Sequence, residues 1–198
     1  QQLQRTIGVT TPEELPKKIQ VLSAMLIEQI DTLSNIASEF SSFAQMPRTN
    51  PELLKVSDAI SGCIQLFEGN VKYAICFTDS TSGGLQIMSD KDQFRRMLTN
   101  LIKNAIQAIP EDRKGEIQLF LNEEYGKVKL KVTDNGAGIP EELFEKIFVP
   151  NFSTKTEGMG LGLAMVKNIV ESMNGTITFE TKMNAGTTFE VVFPIHKE

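Results

Sequence analysis

Apolar residues recur at intervals of three and four between Lys17 and Met46: Ile19, Leu22, Leu26, Ile30, Leu33, Ala37, Phe40 and Ala44. That spacing lays them in one stripe along a single long helix, and a narrow stripe on a long helix calls for another helix against it. Thr11-Pro12-Glu13-Glu14 has the form of a capping box with proline in the first turn and marks the helix start. Pro16 removes a helical donor and argues for a start one turn later; Pro47 ends the helix. Pro47 to Pro51 reads as a linker. Beyond it the pattern predicts a helix from Glu52 to Phe67, then strands at Ala74 to Thr78 and Leu85 to Met88. A second amphipathic helix is predicted from Lys91 to Ile109, stopped by Pro110, with Ser89 or Asp90 as its N-cap. Strands follow at Glu116 to Asn122 and Lys127 to Thr133, a hairpin joined through Glu124-Tyr125-Gly126. A glycine-rich loop, a short helix from Glu141 to Ile147 and an irregular stretch lead to a last helix, Leu161 to Met173, stopped at Asn174-Gly175. A hairpin of Thr176 to Lys182 and Thr187 to Ile195 closes the chain. Hairpins beside clustered helices predict an α+β fold, a two-layer α/β sandwich preceded by a long α-helix.

Composition narrows the function classes. The 198 residues carry 25 acidic and 20 basic side chains, a formal net charge of -5. That balance argues against a general nucleic-acid binder, whose affinity comes mainly from neutralising phosphates. The densest basic group, Arg95, Arg96 and Lys103, lies on one helix and leaves a local phosphate site open. No apolar run approaches the roughly 18 residues that cross a bilayer, and no signal peptide opens the chain, so no membrane segment is expected within it. The expected setting is cytoplasmic, compatible with a parent protein anchored in the inner membrane. The abrupt start at Gln1-Gln2-Leu3-Gln4, with no initiator methionine, reads as the inside of a longer chain. Cys63 and Cys76 lack a pairing motif and sit in apolar contexts, which predicts buried free thiols.

Four segments carry candidate chemistry. On the helix from Lys91, Asn100, Lys103 and Asn104 share a face with Gln93, Arg96 and Gln107. Taken singly, that face is explained by amphipathicity. Its chemistry is less ordinary: two carboxamides four residues apart can ligate a hard cation that shares its shell with phosphates and water. Asp134-Asn135-Gly136-Ala137-Gly138-Ile139-Pro140 follows a strand, where two glycines allow a tight turn and a flat ligand to approach the backbone. A carboxylate there can accept a hydrogen bond from an exocyclic amine; a plain structural turn is the alternative. Gly158-Met159-Gly160-Leu161-Gly162-Leu163 opens the last helix with free backbone N–H groups, a phosphate cradle. The Gly-x-x-x-x-Gly-Lys-Ser/Thr loop is absent, and no strand directly precedes these glycines as a dinucleotide fold requires. Between them, Phe148, Phe152 and Lys155 lie in a polar segment suited to a lid, with the lysine able to meet a terminal phosphate or to be a plain surface cation.

In this order the segments resemble the N, G1, F and G2 boxes of histidine kinases, within the ATPase superfamily of gyrase, heat-shock chaperone, histidine kinase and MutL type, whose ATP-binding fold is called Bergerat-type. The likeness runs from about Asn50 to the end. The long helix resembles the second helix of a dimerisation and histidine-phosphotransfer hairpin, and Leu26 to Ala37 looks most like sensor kinases of the NtrY-like class.

The resemblance implies a division at residues 1–48, the partial hairpin, and 49–198, the catalytic ATP-binding domain. It implies ATP and Mg2+ as ligands. Asn104 would hold the magnesium, with Asn100 and Lys103 positioning it. Asp134 would hold the adenine amino group, with Gly136, Gly138 and Ile139 around the base and Thr187 supporting the pocket. Lys155, Gly158, Met159, Gly160, Leu161 and Gly162 would carry the phosphates, and Phe148 would anchor the lid. Hydrolysing members carry glutamate where this chain has Asn100; an amide is no general base, so transfer to a histidine is implied over hydrolysis. An ATP-hydrolysing member of the superfamily and a degenerate nucleotide-binding interaction module are the alternatives. Implied partners are a second copy, through the helical hairpin, and a response regulator receiver domain. The family's acceptor histidine belongs on the first helix; the only histidine here, His196, follows the final strand, so the acceptor is expected upstream.

Overall fold

A computed structural model describes residues 15–44, 50–69, 71–81, 84–150, 152 and 160–196. The chain divides into two units, residues 1–45 and 46–198. In the first, helix α1 (Leu15–Ala44) is continuous. Pro16 lies inside it, so the expected delay of the start by one turn does not occur. A proline in a first turn gives up an N–H that has no intrahelical partner there. The capping box at 11–14 lies outside the described residues. Ile19, Leu26, Ile30 and Leu33 of the stripe are each about half or more exposed, as are Val21, Met25 and Ile27. Among the described residues no helix is long and apolar enough to cross a membrane.

The second unit is built on alternation. Ile117, Leu119 and Leu121 of β4 (Gly115–Glu124), Val128, Leu130 and Val132 of β5 (Lys127–Asp134), and Phe189, Val191 and Phe193 of β7 (Gly186–Pro194) are buried. Their polar neighbours face outward, where Lys131 pairs with Glu190 at 3.2 Å and Lys129 with Glu124. With β2 (Tyr73–Asp79) and β6 (Thr176–Lys182) these strands form a sheet of order β2-β4-β5-β7-β6, antiparallel except for β2 against β4. Helix α3 (Lys91–Ala108) buries Phe94, Met97, Leu98, Leu101, Ile102 and Ala105, and the Phe94 ring meets that of Phe193 at 6.1 Å. Helices α2 (Val56–Ile64) and α4 (Gly162–Ser172) pack on α3 in the same layer. The expected two-layer α+β sandwich is what forms.

Three local expectations are corrected. Glu52 to Lys55 begin no helix; they form strand β1 (Glu52–Lys55), antiparallel to β3 (Gln86–Ser89), and α2 follows, with a 3-10 turn over Gln65–Phe67. Only Leu54 of β1 is buried, and its pairing partner lies more than 30 residues away, so no local pattern announces it. Glu141 to Ile147 form a 3-10 turn at Glu141–Leu143 and then irregular turns held by i to i−3 bonds such as Lys146 N to Leu143 O at 2.8 Å. Between Pro140 and Pro150 only Ile147 N–H reaches a carbonyl four residues back, that of Leu143 at 3.1 Å, too few such bonds for an α-helix. The rings of Phe144 and Phe148 instead pack on Phe179 at 5.2 and 6.1 Å. Of the two free thiols, Cys63 is buried as expected but Cys76, on the outer face of edge strand β2, is exposed. Burial raises the Cys63 thiol above its ordinary pKa, against the lowering effect of its bond with Thr99 and of Arg95.

Candidate functional site

Asp134 ends β5, two residues past the last buried valine, and is itself only 5% exposed. Its Oδ1 accepts from the N–H of Gly136 at 2.8 Å and of Thr187 at 3.2 Å. Two backbone donors thereby help fix the carboxylate at the sheet end. Thr187 opens β7 and is 4% exposed. Its hydroxyl meets that of Thr181 at 2.9 Å, and Thr181 Oγ1 also accepts from Ile139 N–H at 2.9 Å. The two chain segments approach so closely that a Cβ on Gly186, which has φ +114°, would overlap Asp134 O. A Cβ on Gly138 would fall 2.5 Å from Lys182 O.

The amide face of α3 lies against the start of α4. Asp90 caps α3, its Oδ1 accepting from the N–H groups of Asp92 and Gln93 at 3.0 and 3.1 Å, while its Oδ2 accepts from Asn50 N–H at 3.0 Å. These bonds, Asn50's first, hold the Asp90 carboxyl below its ordinary pKa. Ten residues on, Asn100 Nδ2 donates to Arg96 O at 2.9 Å, which turns Oδ1 toward α4: a Cβ on Gly162 would lie 3.2 Å from it. The same Cβ would be 3.9 Å from Asn104 Nδ2, a buried nitrogen with no hydrogen-bond partner among the described residues. An orphaned buried amide in a glycine-lined gap is an open coordination or hydrogen-bonding position. Rotating the amide presents its oxygen instead. Arg96 likewise has a buried Nη2 without a partner among the described residues, and burial lowers its basicity. Lys103 is exposed. No side chain among the described residues caps α4, so its first-turn N–H groups lack a side-chain acceptor there.

Gly160 has φ +67° and lies so close to Phe152 that a Cβ would overlap its carbonyl oxygen. Leu161, 2% exposed, turns its side chain into the core, and its carbonyl accepts from Met165 N–H at 2.9 Å. Phe148 packs on Phe179 and Phe189, with Lys167 Nζ 5.9 Å from its ring centre. Lys155, Gly158 and Met159 lie outside the described residues.

The two halves join through the last turn of α3. Ala108 O accepts from Ala137 N–H at 2.9 Å, and a Cβ on Gly136 would clash with that carbonyl at 2.6 Å. Asn104 stands one turn earlier, about 6 Å along the helix. Asn100, Asn104, Gly162, Asp134, Gly136 and Thr187 thus form one neighbourhood. His196 does not join it. It lines a hollow with Met173 and Asn174, beyond the C-terminal end of α4, whereas Gly162 starts that helix, about 16 Å away by helical rise. Spacing and composition do not point to Thr181 or Arg113, yet Arg113 Nη1 donates to the carbonyls of Asn135, Gly136 and Asn184. Neither lies in a motif, and only the meeting of distant segments gives them a role. Among the described residues no group of three or more His, Cys, Asp or Glu is placed to hold a metal ion. A cation at this site would rest on carboxamides and on the ligand's own oxygens.

A profile of the family described as histidine kinase-, DNA gyrase B-, and HSP90-like ATPase matches residues 89–197, and the chain belongs to that family. Among curated relatives, the sensor histidine kinase ZraS of Klebsiella oxytoca is 33% identical over 178 residues, 88% of this chain and 38% of that protein. An NtrY-like sensor histidine kinase of Rickettsia prowazekii (strain Madrid E) is 31% identical over 174 residues, 86% of this chain and 28% of that one, in line with the likeness expected from the long helix. The chain spans well under half the length of either relative. The nucleotide-free catalytic domain of histidine kinase ThkA superposes with a TM-score of 0.66 at 34% identity, covering 73% of this chain and 95% of that one. ThkA solved in complex with response regulator protein TrrA gives 0.72 at 28% identity, over 97% of this chain and 55% of that one.

Proposed function

We propose that the chain binds magnesium-ATP and supplies the phosphoryl-transferring half of a sensor histidine kinase, acting on a histidine that lies outside residues 1–198. The observation that carries this reading is the gap between Asn100, Asn104 and Gly162, where a buried amide nitrogen stands without a partner among the described residues, beside a helix start. Asn104 would hold the cation and Asn100 and Lys103 the phosphates beside it. A magnesium ion held there would supply positive charge against the phosphates. The first-turn N–H groups of α4 would donate to the same oxygens, with Gly158, Met159, Gly160 and Lys155 completing the loop. Asp134 would accept the adenine amino hydrogen, with Gly136, Gly138, Ile139 and Thr187 around the ring. Asn100, standing where hydrolysing relatives carry glutamate, cannot take a proton from water, so the bound nucleotide would wait for a better nucleophile.

On this reading residues 1–48 belong to a dimerisation hairpin and residues 49–198 to the catalytic domain. The exposed stripe of α1 supports pairing with a second copy. The complex of ThkA with TrrA supports a response regulator as the eventual acceptor partner, and a cytoplasmic setting follows for such a partner.

Incubation with γ-labelled ATP tests the proposal. The 198-residue chain should remain unlabelled and release phosphate slowly. A chain extended upstream should acquire an acid-labile label, lost on Asn104→Ala. Stable labelling of His196, or brisk hydrolysis abolished by Asn104→Ala, would contradict it.

A further inference from the structure

We propose that Arg113 is a positioning residue that orients Asp134 for the adenine amino group and thereby sets the preference for adenine over other purines. The inference rests on the nucleotide reading above and extends it to a residue outside every motif. Arg113 lies in the loop between α3 and β4, half-buried, and makes no ion pair among the described residues. Its Nη1 donates to the carbonyls of Asn135 at 2.5 Å, Asn184 at 3.1 Å and Gly136 at 3.2 Å. Two hydrogens serve three acceptors, so one of them is shared.

The Asn135 carbonyl belongs to the peptide group whose other end is the Gly136 N–H, and that N–H donates to Asp134 Oδ1 at 2.8 Å. A peptide group is flat. Fixing its oxygen on a guanidinium therefore fixes the direction of its N–H. Charge at the carbonyl end also polarises the group and strengthens the bond at the other end. The third contact reaches the turn between β6 and β7. There Asn184 N–H donates to Ala137 O at 2.7 Å, and the strand that follows supplies Thr187 N–H, the second donor to Asp134 Oδ1. These two backbone donors to Asp134 Oδ1 therefore sit on segments that Arg113 ties together.

The test compares ADP with inosine diphosphate, which carries a carbonyl oxygen in place of the amino group, by calorimetric titration of the 198-residue chain. The wild type should prefer ADP by about tenfold or more, because a carboxylate left facing a carbonyl loses its donor. Arg113→Met keeps the aliphatic stem and removes the donors; it should cut that preference at least about fivefold while inosine diphosphate affinity stays within about twofold. Arg113→Lys should recover part of the preference. A folded Arg113→Met variant that keeps the wild-type ratio, or weakens both nucleotides equally, overturns the proposal. Should that variant fail to fold, amide exchange in the wild type decides: the Gly136 N–H should be strongly protected without nucleotide, and exchange at the rate of an open amide overturns the assignment. Failure of the wild type to bind either nucleotide would instead refute the nucleotide reading itself, and this inference with it.

Discussion

Gly186 and Gly62 are both glycines with opposite reasons to be there. Gly186 combines φ +114° with a backbone approach that leaves no space for a Cβ, and the atom it would strike is the carbonyl oxygen of Asp134. Gly186→Ala should destabilise the domain by about 3 kcal/mol or more and weaken nucleotide binding with it. Gly62 lies within α2 with nothing within 4 Å of a Cβ, so Gly62→Ala should stabilise by about 0.5–1 kcal/mol. Urea unfolding of both variants measures the contrast; equal effects would contradict the close packing around Asp134. Side chains with distinctive chemistry at short spacing are legible in the sequence alone: Asn100 and Asn104 on one helix face, Asp134 at a strand end, glycines ahead of a helix. Thr181 and Arg113 are not. A threonine in a strand and an arginine in a loop acquire their roles only from segments far away in sequence, which no local spacing encodes.

Helices with long amphipathic runs and clear stops are the most readable elements. The N-cap of α3 falls at Asp90, one of the two expected positions, and Asn174 (φ +55°) and Gly175 end α4's turn as their composition implies. The β1–β3 ribbon escapes the pattern because four residues carry no period of their own, and the segment after Pro140 because aromatic packing on Phe179 competes with helix formation. Asp90 yields a test with a sign. It caps α3 and also holds Asn50, so Asp90→Ala should cost about 1 kcal/mol near neutral pH. Because its folded pKa is depressed, its contribution is full above the unfolded carboxyl value of about 3.9 and is lost as pH falls through the lower folded value. The stability gap between wild type and Asp90→Ala, followed by denaturant unfolding, should therefore be flat above about pH 5 and close below about pH 4. A gap that widened on acidification would contradict the assigned bonds.

The unit of residues 46–198 places its five-stranded sheet behind a candidate site whose parts come from α3, the loop after β5, the start of β7 and the mouth of α4. Family membership through residues 89–197 accounts for that layout, and the α+β class is readable because hairpin strands and clustered helices alternate in blocks. On the proposed function, carboxamides and backbone amides would grip the phosphates while a carboxylate would read the base. Calorimetric titration of the 198-residue chain with ATP, with and without magnesium, tests it most directly. Wild type should bind saturably and more tightly with the metal, Asn104→Ala should lose the metal dependence, and Asp134→Asn should weaken binding about tenfold or more in either condition. Absence of saturable binding up to millimolar ATP, or undiminished affinity in Asp134→Asn, would contradict the account.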